Sequence, residues 1–135
     1  FQSNLIKIID DHDMILDFHE AYDFHKINSS SVGSAILPAN NYKDSKIISY
    51  LYDLSNYLKK QVDLTIDEKN KKFSVITNDK YDIKNTLRDY CEKTNKPYIL
   101  VEITGQDDIQ PMELRKDQTK VILESFLRKL NMYID

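Results

Sequence analysis

Cysteine occurs once in this chain, glycine twice and proline three times. A single thiol, Cys91, cannot close an intrachain disulfide and cannot alone build a cysteine zinc site, which removes the disulfide scaffold and the zinc finger. The scarcity of glycine and proline argues for long regular elements joined by polar turns. Long apolar runs are missing too. Nothing approaches the roughly 20 residues needed to cross a bilayer, and no signal-like segment is visible. The formal net charge of −3 gives no overall pull toward nucleic acid or an anionic membrane. The expectation is a cytoplasmic protein with no membrane partner and no cofactor.

What is present suits one domain. The 135 residues, 41% apolar and 30% charged, are globular in composition, and the chain is long enough to bury most of its unfolded surface. Residues 1–4, Phe1-Gln2-Ser3-Asn4, look like the remnant of a protease-cleavable purification tag, leaving 5–135 as the domain. The frequent Ile, Lys, Asn and Tyr fit an AT-rich coding bias.

Periodicity supplies the elements. "LIKII" (Leu5–Ile9) is short and rich in β-branched residues, which predicts a strand. Met14, Leu16, Phe18, Tyr22 and Phe24 then alternate with Asp13, Asp17, His19, Asp23 and His25, a period of two that predicts a strand with one wet face. Glu20-Ala21 keeps a helical reading open. Asn28–Ser34 is a serine-rich loop, followed by a short strand at Ala35–Pro38. Asp44 or Ser45 can cap a helix to about Lys60, with Ile47, Leu51, Leu54 and Leu58 on its inner stripe. Val62, Leu64 and Ile66 followed by Phe73–Thr77 predict a hairpin.

A further helix is expected from Asn78 or Asp79 to about Thr94, with Ile83, Leu87, Tyr90 and Cys91 inward. Tyr98–Thr104 is apolar on both parities except at Glu102 and predicts a central strand. The last helix, from about Met112 to Tyr133, carries a main stripe of Leu123, Phe126, Leu127, Leu130 and Ile134. A second line, Leu114, Val121 and Met132, falls on its opposite side. The sum is a single α+β domain of two layers, with a mostly antiparallel sheet and about three helices.

Chemistry concentrates in "DDHDMILDFHEAYDFHKI", Asp10–Ile27, which holds all three histidines. On a strand, Asp17 and His19 share a face and could offer a carboxylate and an imidazole to one cation, with Glu102 as third donor and Asp107 and Asp108 nearby. A carboxylate inside an apolar strand needs a partner, which is why Glu102 stands out. That set would suit a metal-dependent hydrolase or nuclease. Against it, alternating acids are the ordinary wet face of an edge strand. No HExxH spacing occurs, and the Glu-x-Lys of many metal nucleases would need lysine where Thr104 stands. The serine-rich loop lacks the spacing and lysine of a phosphate loop.

Lys69, Lys71 and Lys72 at a hairpin tip could contact nucleic-acid phosphates, yet carboxylates are interleaved and no RNA-binding fingerprint accompanies them. Tyr50, Tyr52 and Tyr57 on one helix exceed what its core stripe needs, and tyrosine is favoured at interfaces. With Leu114, Val121 and Met132 they predict a protein contact surface, most simply that of a symmetric dimer. The leading expectation is therefore a non-catalytic interaction or ligand-binding protein acting as an oligomer or complex subunit. No stretch carries a recognisable family signature.

Overall fold

The computed structural model describes residues 3–24, 28–62, 73–78, 84–106 and 108–130. Among the described residues four helices, one more than expected, and a four-stranded mixed sheet form the α+β fold: α1 (Ser3–Asp10), β1 (Ile15–Ala21), β2 (Ala35–Pro38), α2 (Ser45–Gln61), β3 (Ser74–Val75), α3 (Leu87–Lys93), β4 (Tyr98–Thr104) and α4 (Met112–Lys129). The strand order is β1-β4-β2-β3. β4 is central, as its double-sided apolarity predicts. The sheet is not mostly antiparallel, however. β1 runs parallel to β4 and β3 parallel to β2, and only the β2–β4 pair is antiparallel.

Side-chain parity separates two cores. Ile99, Val101 and Ile103 of β4 join Ile36 on one face, where Ile47, Leu51, Leu54 and Leu58 of α2 and Ile122 and Phe126 of α4 cover them. Tyr98 and Leu100 point the other way, against Ile9 of α1 and Cys91, Leu87 and Tyr90 of α3. Helices thus flank both faces, and the expected two layers become three. Cys91 is fully buried, and its burial pushes the thiol up to about 11, which leaves it a small core hydrophobe rather than a nucleophile.

Local chemistry explains the boundaries. Asp44 caps α2, its carboxylate accepting from the amides of Lys46 and Ile47 at 2.9 and 3.0 Å. The helix ends at Val62, so the first arm of the predicted hairpin begins on a helix cap, and the rest of that arm and its turn lie outside the described residues. Ser74–Val75 joins β2, through Ser74 N–H to Ser34 O and Ile76 N–H to Ile36 O, both at 3.0 Å. α3 starts only at Leu87. Asn85, at φ 61°, cannot continue a right-handed helix, and Thr86 caps the Asp89 amide. Ile83, assigned to this helix from sequence, lies outside the described residues.

Leu5–Ile9 is helical rather than a strand. Ile9 alone of that run is buried, at 2% exposure, and Ser3 and Asn4 form the first turn. In α4 the core-facing line runs through Gln118, Ile122 and Phe126, while Leu123 and Leu130 of the expected main stripe are exposed. The core-facing line differs from the expected stripe because its first member is a glutamine rather than an apolar residue. Gln118 and Gln110 are both wholly buried and exchange amide bonds, Gln110 Nε2 donating to Gln118 Oε1 at 2.8 Å and Gln118 Nε2 to Gln110 Oε1 at 3.2 Å. Gln110 Nε2 also donates to Thr104 O at 2.9 Å, which ties α4 to the end of β4.

Candidate functional site: a carboxylate–imidazole row beside an open sheet edge

β1 is a strand through the histidine-rich segment, and its register with β4 sets His19 beside Glu102. Asp17, two residues back, shares their face. The three groups singled out from sequence therefore meet. His19 Nε2 lies 3.2 Å from Asp17 Oδ2, and His19 Nδ1 lies 3.7 Å from Glu102 Oε1. The Tyr98 hydroxyl, from the next position along this face, donates to Asp17 Oδ2 at 2.8 Å. Burial, then the bond to the Asp17 carboxylate, pushes the Tyr98 phenol above its ordinary range. Glu102 is also raised, first by burial and then by the Asp17 charge, with the His19 imidazole opposing both.

The geometry is a row rather than a cage. The two imidazole nitrogens turn to different carboxylates, so the three side chains do not converge on a single point. Among the described residues no group of three or more His, Cys, Asp or Glu side chains is arranged to hold a metal ion. A carboxylate–imidazole–carboxylate row can hold and pass a proton, because a charged imidazole donates from both nitrogens. His25 and Asp107 lie outside the described residues, and Asp108 is exposed in the turn before α4.

With β3, β1 is one of the two outer strands of the sheet among the described residues. Next to it, a cleft of about 450 Å3 opens between β1 and α4. Phe18, Ile103, Met112 and Leu123 supply its apolar lining, and Arg115, Lys116 and Lys120 its basic side. Arg115 Nη1 reaches Glu20 Oε1 at 3.4 Å, and Lys116 pairs with Glu113 at 2.9 Å. A Cβ on Gly105 would fall 1.7 Å from Glu20 Oε1, so the absent side chain is what lets Glu20 fold across the β4 end. Sequence reading missed this cleft. Its signal was the exposed apolar pair Met112 and Leu123 flanking three basic residues on one helix.

The expected contact residues are divided. Tyr50 is half-buried and holds α2 to α4: its ring meets Phe126 edge-on at 5.3 Å, its hydroxyl lies 2.5 Å from Ser125 Oγ, and Lys129 Nζ sits 4.7 Å from the ring centre. Tyr52 and Tyr57 are about half exposed, at 50% and 53%. Tyr57, Val121 and Arg128 line a groove of about 520 Å3 between α2 and α4, whereas Tyr52 is not among its lining residues. Val121 packs partly against the core, and Leu114 is partly buried. Met132 lies outside the described residues, as do Lys69, Lys71 and Lys72.

In the serine-rich loop three of the four hydroxyls hold local or sheet bonds. Ser34 Oγ accepts the Thr104 amide at 3.1 Å, Ser31 Oγ accepts the Gly33 amide at 3.1 Å, and Ser30 Oγ donates to Asn28 Oδ1 at 2.6 Å. No helix among the described residues is long and apolar enough to cross a membrane. No protein-family model matches the chain, and neither does any curated protein or solved structure.

Proposed function

We propose that this chain is a small non-catalytic interaction protein that works in an oligomer or complex, in the cytoplasm. One observation carries the reading. Tyr52, Tyr57, Met112, Leu123 and Leu130 keep 43–53% of their surface outside the core, on two helices that already have full inner stripes. Such residues contribute most of their free energy when a partner removes them from water. The groove between α2 and α4 offers Tyr57 and Val121 as apolar anchors, with Asp53, Glu124 and Arg128 for polar contacts. The test is solution mass over a dilution series. Light scattering should exceed the 15.9 kDa of one chain at high concentration and fall toward it on dilution.

A second reading, hydrolysis by general acid–base or metal chemistry, rests on the meeting of Asp17, His19 and Glu102. It predicts turnover of an ester or phosphodiester that His19→Asn abolishes and Tyr57→Glu leaves intact. Observing that pattern would displace the interaction reading.

A further inference from the structure

Which edge of β1 is satisfied follows from two bonds. Ile15 N–H donates to Pro97 O, and Gly105 N–H donates to Ala21 O, both at 2.9 Å. The odd-numbered residues of β1 therefore direct their main-chain groups to β4. By the alternation of a strand, Leu16, Phe18 and Glu20 turn their N–H and C=O groups to the open edge. An edge that offers donors and acceptors at alternate positions is a template for another strand, and native proteins blunt it or use it. Among the described residues no strand pairs with this edge, and the charges on β1 are Asp17, His19 and Glu20. β1 carries no proline and no lysine, and it is among the longest strands of the sheet.

The strand is also complementary to itself. Ile15–Ala21 has Phe18 at its centre, so an antiparallel copy centred there overlaps the whole element. In that register Phe18 faces Phe18, Leu16 faces Glu20, and Asp17 faces His19. The even-numbered positions become hydrogen-bonded pairs, giving about six main-chain bonds. The Asp17–His19 pairs fall at the closer, non-bonded positions, where a carboxylate can accept a hydrogen bond from the imidazole opposite, whereas two facing carboxylates repel. Slipping by two residues in either direction sets Asp17 against Asp17 or His19 against His19. Slipping by one sets outward groups against inward ones. A single register satisfies backbone, side-chain pairing and length together.

The surroundings fit the same dyad. Phe18, Met112 and Leu123 line the cleft beside this edge, and Tyr22, just beyond β1, is 64% exposed. We propose that β1 pairs antiparallel with β1 of a second copy, about a two-fold axis at Phe18, to make one continuous eight-stranded sheet. This rests on the interaction reading and gives it a partner and a surface separate from the α2–α4 groove.

Cross-linking and mass test it together. A Phe18→Cys chain should form a disulfide dimer on mild oxidation, since facing hydrogen-bonded residues stand about 5.5 Å apart, inside the disulfide range. Cys91 is buried and does not compete. Glu20→Cys should not cross-link to itself, because its copy would lie roughly 13 Å away along the strand. Glu20→Pro removes an outward amide without touching the β4 ladder, and should raise the dimer dissociation constant at least about tenfold with unchanged circular dichroism. A chain that stays monomeric at millimolar concentration would overturn the proposal. So would a dimer that survives Glu20→Pro but is lost in Tyr57→Glu, and that result would leave the interaction reading standing. Turnover that depends on His19 would overturn the interaction reading itself.

Discussion

Replacing Gln118 with leucine removes both amide bonds to Gln110 and strands a carbonyl oxygen where neither side chain has any solvent exposure. Leucine fills nearly the same volume, so the cost is polar rather than steric. A buried acceptor left without a donor costs about 1–3 kcal/mol, and each lost neutral bond about 1 kcal/mol net, offset in part by the new apolar burial. The expected loss is about 2–3 kcal/mol. At roughly 2.1 cal/mol/K of unfolding entropy per residue, that lowers Tm by about 7–11 °C. Gln110→Leu should cost a similar amount, because it also withdraws the donor from Thr104 O. With both leucines in place neither glutamine amide is left stranded, and Thr104 O loses its donor. The double variant should therefore be less destabilised than the two singles summed, by about 2–3 kcal/mol. Urea unfolding followed by circular dichroism measures all four corners of the cycle. Additivity within about 0.5 kcal/mol would refute the claim that the two amides act as one unit.

Three further outcomes are expected. Asp44→Ala should lower stability by about 1 kcal/mol, the usual worth of an N-cap, read as a drop in the urea midpoint with unchanged slope; no change would mean that the cap is replaced by water. Burial holds Glu102 above its ordinary value of 4.5, so its contribution is full below that pH and is lost as pH rises through the folded value; Glu102→Gln should flatten the fall in stability on raising pH from 4.5 toward neutral, and an unchanged profile would count against a buried carboxyl. Asp89 behaves oppositely. The Lys93 ammonium and then the Asn85 amide hold it below 3.8, so its contribution is present above that value and lost as pH falls through the folded one, and Asp89→Asn should reduce the acid sensitivity of unfolding.

The readable and unreadable parts of the sequence divide on physical lines. The Asp17–His19 pair was visible because a strand repeats every two residues, and Glu102 because a charge in an apolar strand must find company. Asp44 and the α2 stripe were visible for similar local reasons. The pairing of β1 with β4 was not, since parallel strands distant in the chain leave no turn signal between them. The run at Leu5–Ile9 misled because β-branched residues favour strands, while Ile9 alone is anchored, packing against Tyr98 and Cys91. Gln118 misled the reading of α4 for the opposite reason. A glutamine with a buried partner looks like solvent-facing surface until that partner is found.

The position of β4 has a consequence for how the molecule comes into being. β1 and β2 are made early, yet neither bonds to the other, and β4 is the strand they share. On the ribosome the sheet cannot close until Thr104 has been synthesised, so both earlier strands must wait for the intervening residues to be made before they meet their common neighbour. Pairings this distant along the chain slow folding. A nascent chain halted before Tyr98 is therefore an aggregation hazard in two places rather than one, and its rescue depends on finishing the protein.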